Sequence, residues 1–174
     1  MRVLIAYATT EGQTRKIATT VAGQVRGRDH DVRLVDITSK PSDVHPNDFD
    51  AIIIAASVHQ EKHQDDIEAF VSASKNVLAT KPTLFLSISL AAAFEEGRGD
   101  AEKYIDSFMK NSGWKPDKSL AVAGALRSNE YDYYQQQILE HVVLKDRSVD
   151  HPEQDHEFTD WDALSGAVDS FLKA

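Results

Sequence analysis

Five short apolar runs, most of them without the alternation that marks a half-exposed strand, set the main constraint on this chain. They occupy residues 3–8 (VLIAYA), 32–37 (VRLVDI), 51–57 (AIIIAAS), 83–89 (TLFLSIS) and 119–126 (SLAVAGAL). A strand that is apolar on both sides has both faces covered, and the usual cover is helix above and below a parallel sheet. Segments of helical period lie between the runs. Residues 14–25 place Ile17, Val21 and Val25 on one stripe, residues 67–78 offer Ile67, Phe70, Val71, Ser74 and Leu78, and residues 101–110 carry Tyr104, Ile105, Phe108 and Met109. This alternation predicts an α/β sandwich of three layers, with a parallel five-stranded sheet and right-handed crossovers.

The fifth run is followed by a long polar stretch. Residues 127–157 contain YDYYQQQILEHVVLK, read as a helix, and DRSVDHPEQDHEF, read as a loop. Then comes TDWDALSGAVDSFLKA, a final helix with Thr159 as its expected cap and Trp161, Leu164, Val168, Phe171 and Leu172 as its buried stripe. A simple α/β unit needs roughly two to six residues there, so 127–157 reads as an insertion within one domain spanning 1–174. Long loops at one end of a sheet carry function more often than they merely cap it.

Composition narrows the function classes. No stretch approaches the roughly 18 uninterrupted apolar residues of a membrane span. The chain enters its first strand within two residues of Met1, which leaves no room for a leader and predicts a cytoplasmic protein. A net charge of -9 argues against nucleic acid or an anionic membrane surface as partner. With no cysteine, disulfides, thiolate nucleophiles and iron–sulfur clusters are excluded, so any redox chemistry must come from a bound cofactor.

Between the first strand and first helix lies TTEGQT, residues 9–14. Successive backbone N–H groups point out of a helix start, and threonine hydroxyls of short reach add donors, an arrangement that holds a phosphate without lysines. Gly12 permits close backbone approach, and Thr14 can set its hydroxyl beside the anion. No Gly-Lys-Ser/Thr follows, which disfavours a nucleoside triphosphate, and the absence of Gly-x-Gly-x-x-Gly disfavours a dinucleotide. The rival reading is a plain helix cap and glycine turn, which needs one hydroxyl where this loop has three.

The segment resembles the FMN-phosphate loop of the flavodoxin family, Ser/Thr-x-Thr-Gly-x-Thr, with Thr9, Gly12 and Thr14 on matching positions. It departs at Glu11, where flavodoxins usually have threonine. A carboxylate there would repel the phosphate, so Glu11 is expected to point away and offer its backbone N–H. An acidic residue at this point resembles one branch, the menaquinone-dependent protoporphyrinogen dehydrogenases, whose loop runs Asp-Gly-Gln-Thr-Arg against Glu11-Gly12-Gln13-Thr14-Arg15 here. IIIAASVH, WKPDKSLAVAGAL, Arg127 and FTDWDAL extend the match along the chain.

The resemblance implies a flavodoxin-like strand order 2-1-3-4-5 and FMN as cofactor. Ligands of such sheets sit beyond the carboxyl ends of the strands where the order reverses. The phosphate would then meet Thr9, Thr10, Glu11, Gly12, Gln13 and Thr14. Backbone groups of Ser57, Val58, His59, Ser89, Leu90 and Ala91 would flank the flavin ring. Neither flanking loop has Trp or Tyr, leaving Phe94, or Tyr131 from the insertion, to stack. An open ring face suits two-electron exchange with an organic substrate.

His59 and Arg127 are the catalytic candidates. His59 could donate a hydrogen bond or shuttle protons near neutrality. Arg127 either grips a substrate carboxylate or pairs with a neighbouring acid. His59 and His63 stand four apart, yet no further ligand converges on them, and HPEQDHE reads as a solvated loop, so no metal site is expected.

One departure limits the analogy. In the protoporphyrinogen dehydrogenases the segment after the fifth strand is basic and aromatic, whereas residues 127–157 hold Arg127, Lys145 and Arg147 against eight acidic residues. That charge would repel both anionic lipid and a porphyrin's propionates. Two functions therefore stay open. One is an FMN-dependent oxidoreductase that passes electrons from a reduced organic substrate, such as a porphyrinogen, to a quinone. The other is a flavodoxin-type carrier docking a basic protein redox partner.

Overall fold

The computed structural model describes residues 1–126 and 156–174. The expected helix over YDYYQQQILEHVVLK, together with Arg127 and Tyr131, lies outside the described residues.

Five long strands form one parallel sheet: β1 (Arg2–Ala8), β2 (Asp31–Asp36), β3 (Ala51–His59), β5 (Thr83–Ser89) and β6 (Lys118–Ala123). Their spatial order is β2-β1-β3-β5-β6, the expected 2-1-3-4-5 once the two-residue strand β4 (Lys62–His63) is set aside. The helices are α1 (Gln13–Arg26), α2 (Asp65–Leu78), α3 (Arg98–Ser112) and α4 (Trp161–Leu172).

The layering follows from the period of two along β1. Val3, Ile5 and Tyr7 join one core with Ile17, Val21 and Val25 of α1 and Leu164, Val168 and Phe171 of α4. Leu4, Ala6 and Ala8 join the opposite core with Ile67 and Val71 of α2 and Ile105 and Phe108 of α3. Both faces are therefore dry, as the unbroken apolar runs required.

Three local expectations change. Asp160, not Thr159, caps α4: its carboxylate accepts from the Ala163 N–H at 2.9 Å. Thr159 instead donates its hydroxyl to the Ala123 carbonyl at 2.7 Å. The expected 119–126 strand breaks at Gly124, whose N–H turns to the Ser89 carbonyl at 3.0 Å. Beyond that break, β7 (Ala125–Leu126) pairs antiparallel with β8 (His156–Glu157). Ile37 leaves its strand for a short 3-10 turn opened by the Asp36 carboxylate, which accepts from the Thr38 N–H.

Candidate functional site

Strand register brings the loops together. Ala8 lies opposite Ala56, Ser57 opposite Ile88 and Ser89 opposite Ala123, so the chain leaves four neighbouring strands at one level. A cleft opens there. The β1–α1 turn contributes Thr9, Glu11, Gln13 and Thr14, the end of β3 contributes Ser57 and Val58, and the end of β5 contributes Ile88, Ser89 and Leu90. Gly124 and Ala125 form a wall that the sequence reasoning missed, because the apolar run 119–126 conceals the break at Gly124.

The β1–α1 turn is held open by its own backbone. Gly12 has φ 95°, in the left-handed region where any Cβ is strained, and a Cβ built there would meet no atom within 4 Å. Its N–H donates to the Thr9 hydroxyl at 2.9 Å. Lys16 is the first residue to donate back into the turn, to the Gly12 carbonyl at 3.1 Å. The opening N–H groups of α1 thus have no helical carbonyl behind them, and the positive end of the helix faces the cleft. Thr14, in that first turn, is 1% exposed and its hydroxyl oxygen has no hydrogen-bond partner among the described residues. A buried polar atom left in this state is uncommon and needs a reason.

Gln13 lies in the turn with its side chain committed elsewhere. Its amide donates to Glu157 Oε2 at 3.2 Å and to Thr159 Oγ1 at 3.1 Å. Lys16 and Trp161 also donate to Glu157, and the Lys16 ammonium beside it holds the Glu157 carboxyl below its ordinary range. The start of α1 is thereby tied to β8 and to Thr159 just after it.

Thr10 is exposed and outside the cleft lining. Its hydroxyl accepts from Gln64 Nε2 at 3.1 Å, and the same amide donates to Ser57 Oγ. Gln64, immediately before α2, bridges two loops of the site and was not among the expected residues. A polar side chain at a helix start carries no signal beyond capping.

The segment SVHQEKH, expected as a loop, is a hairpin. His59 pairs with Lys62 and Val58 with His63. Its two turn residues, Gln60 and Glu61, both have positive φ, 50° and 65°, a conformation that favours Asn-Gly. The hairpin separates the two histidines. His63 is 3% exposed, its Nε2 shares a 2.8 Å hydrogen bond with Ser87 Oγ, and it packs on Phe85 and Phe108. Burial lowers its pKa to about 4, so it is a neutral core residue. His59 stays at the rim, with Nδ1 3.4 Å from Glu11 Oε1.

Glu11 is one of the cleft residues, and its side chain, 12% exposed, lies beside His59. The helix start favours a carboxylate at this place, and the imidazole gives it a partner. After β5, Ser89 Oγ accepts from the Ala92 N–H at 3.2 Å, which shapes the turn through Leu90 and Ala91. Phe94, offered as a stacking residue, packs edge-on against Phe158 at 5.4 Å between centroids.

Proteins of known identity share this plan. The chain is 28% identical over 168 residues, 95% of its length and 91% of the relative's, to protoporphyrinogen IX dehydrogenase [quinone] of Escherichia coli K12. It is 24% identical over 173 residues to the protein of that name from Leishmania major, covering 98% of this chain and 74% of the relative. Among solved structures it superposes on oxidised flavodoxin 1 from Bacillus cereus with a TM-score of 0.61 at 16% identity, over 99% of this chain and 98% of that one. Flavodoxin 2 from the same organism gives 0.59 at 17% identity, over 99% of both chains. Residues 4–151 match the flavodoxin domain, and the chain belongs to that family.

Proposed function

We propose that the protein is an FMN-dependent oxidoreductase that carries electrons from a reduced organic substrate to a quinone. The observation that carries the FMN reading is the Thr14 hydroxyl, buried and unpartnered at the open start of α1. A phosphate oxygen supplies the acceptor it lacks. Around it the turn provides helix N–H groups and the left-handed Gly12, while Thr9 fixes the turn by accepting from the Gly12 N–H. Lys16 is engaged by Glu157, so hydroxyl and backbone groups bear the recognition.

Bound FMN supplies the two-electron capacity that a cysteine-free chain lacks. Ser57, Val58, Ser89, Leu90 and Ala125 line the cleft and would flank the flavin ring, with His59 beside Val58 in the hairpin. The names of the Escherichia coli and Leishmania relatives support a quinone as acceptor. No described helix is long and apolar enough to cross a membrane, and the reading sets the protein in the cytoplasm. A porphyrinogen is the reference substrate, and the acidic 127–157 segment favours a less anionic one.

Purified protein should be yellow and release FMN on denaturation. Under anaerobic conditions, protoporphyrinogen and menadione should support turnover if the substrate is shared with the relatives. FMN bound without turnover, together with a stable one-electron reduced form, would favour the electron-carrier reading instead.

A further inference from the structure

Gly124 and Ala125, which wall the cleft, stand at a break in the strand: β6 ends at Ala123 and the two-residue β7 begins at Ala125. Hydrogen bonds from outside the strand hold this break in shape. The Gly124 N–H donates to the Ser89 carbonyl at 3.0 Å, and the Gly124 carbonyl accepts from the Phe158 N–H at 3.0 Å. The Ala123 carbonyl accepts from the Thr159 hydroxyl at 2.7 Å. Two of these three bonds come from residues 158 and 159, so the wall is as steady as that segment.

The segment is anchored by Gln13. Both Gln13 and Thr159 are buried, at 4% and 9% exposure. A hydroxyl has one hydrogen, and that of Thr159 goes to Ala123, so toward Gln13 it can only accept. Gln13 meets this demand with its amide nitrogen, which donates to Thr159 Oγ1 at 3.1 Å and to Glu157 Oε2 at 3.2 Å. The flipped amide would set its oxygen against a carboxylate and a hydroxyl with no hydrogen to offer, so donation runs one way, from Gln13 through Thr159 to Ala123. Glu157 is held from its other side by Lys16 and by Trp161 Nε1.

We propose that the Gln13 side chain is a positioning residue that braces the Gly124–Ala125 wall of the cleft from the phosphate turn. Its backbone lies in the turn assigned to the phosphate, and its side chain fixes the wall assigned to the ring, so one residue sets the distance between the two ends of the cofactor site. Coupling of this kind is reciprocal: FMN held at the turn steadies the wall, and a loosened wall weakens FMN. The effect on FMN rests on the function proposed above, whereas the brace belongs to the flavin-free chain.

The test uses the full chain and the variants Gln13→Met, Thr159→Val, Thr159→Ser and the Gln13→Met/Thr159→Val double, with Gln13→Ala standing in if Gln13→Met does not fold. Amide hydrogen exchange of the flavin-free proteins reads the Gly124 and Phe158 N–H groups. Both should exchange about fivefold or more faster in Gln13→Met and in Thr159→Val, the effect of one lost buried hydrogen bond, while the amides of β1 and β3 keep their rates. The double variant should be no faster than the quicker single, because both changes cut one chain of donors. Thr159→Ser keeps the hydroxyl and should match the unmutated protein. In a fluorescence titration, FMN affinity should fall about fivefold or more in Gln13→Met and equally in Thr159→Val, although Thr159 is not a cleft residue. Unchanged exchange at Gly124 and Phe158 in Gln13→Met, additive effects in the double variant, or FMN affinity lost in Gln13→Met and kept in Thr159→Val would each overturn the brace. If the unmutated chain binds no FMN, the proposed function fails, and hydrogen exchange still decides whether Gln13 holds the wall.

Discussion

Thr14→Val should act with opposite signs on the free and the loaded protein. The Thr14 hydroxyl is buried with no partner among the described residues, and such a group costs about 1–3 kcal/mol of desolvation in the flavin-free protein. Valine keeps the β-branched shape and differs little from threonine in helix propensity. The substitution should therefore stabilise the flavin-free protein by about 1 kcal/mol, a rise in Tm of roughly 2–4 °C for a domain of this size. With FMN the same change removes a hydrogen bond to a charged acceptor, worth about 1.5–3 kcal/mol. That is a loss of roughly ten- to hundredfold in affinity. Thermal unfolding of the flavin-free protein and a fluorescence titration with FMN measure the two effects separately. A flavin-free variant that melts lower while binding FMN unchanged would mean that Thr14 serves packing alone, and the phosphate assignment would fall.

Three further outcomes follow from the geometry. Unfolded His63 takes up a proton near its ordinary pKa, while the folded residue resists to about 4; stability should therefore fall as pH drops from about 6.5 toward 4, by up to about 3 kcal/mol in total. Urea unfolding across this range should show a flatter profile in His63→Gln, and an unchanged slope would contradict the burial argument. Replacing Gln60 and Glu61 by Asn-Gly relieves two left-handed non-glycine residues and should raise stability by about 1–2 kcal/mol, read as a shift in urea midpoint; a neutral result would mean the hairpin is not strained. A Cβ on Gly97 would stand 2.2 Å from the Ala91 carbonyl oxygen, so Gly97→Ala must displace the turn after β5. It should cost about 3 kcal/mol and weaken FMN binding, both measurable by the same titrations.

The sheet was readable because burial on both faces leaves a clear trace: Val3–Ala8 of β1 and Ala51–Ala56 of β3 run without a polar residue but the Tyr7 hydroxyl, and the interior of β5 is interrupted only by Ser87. The TTEGQT turn was readable for a different reason, since three hydroxyls and a glycine exceed what a helix cap needs. Cross-chain contacts left less trace. Nothing in Gln60-Glu61 announces a two-residue hairpin, because these residues are poor at the conformation they adopt. Nor could the sequence tell that Gln13 would spend its amide on Glu157 and Thr159, far along the chain. Thr159 and Asp160 are both good caps, and the Ala123 carbonyl, by engaging the threonine hydroxyl, left the role to the aspartate. The approach of Glu11 to His59 was likewise unreadable, since it depends on how the β3–β4 hairpin is set against the β1–α1 turn.

The clip between β7 and β8 pairs Leu126 with His156, so the two residues that flank positions 127–155 stand side by side. Closing a loop costs free energy that grows only with the logarithm of its length, about 0.6 kcal/mol per doubling. A segment anchored this way can be lengthened, shortened or recoloured in charge with little penalty to the sheet beneath. The flavodoxin scaffold can thus hold one cleft constant while exchanging what stands beside it. A chain with this clip is suited to acquiring a new substrate by drift in one contiguous stretch, and grafting the basic 127–155 equivalent of a relative between Leu126 and His156 should leave folding and FMN binding intact.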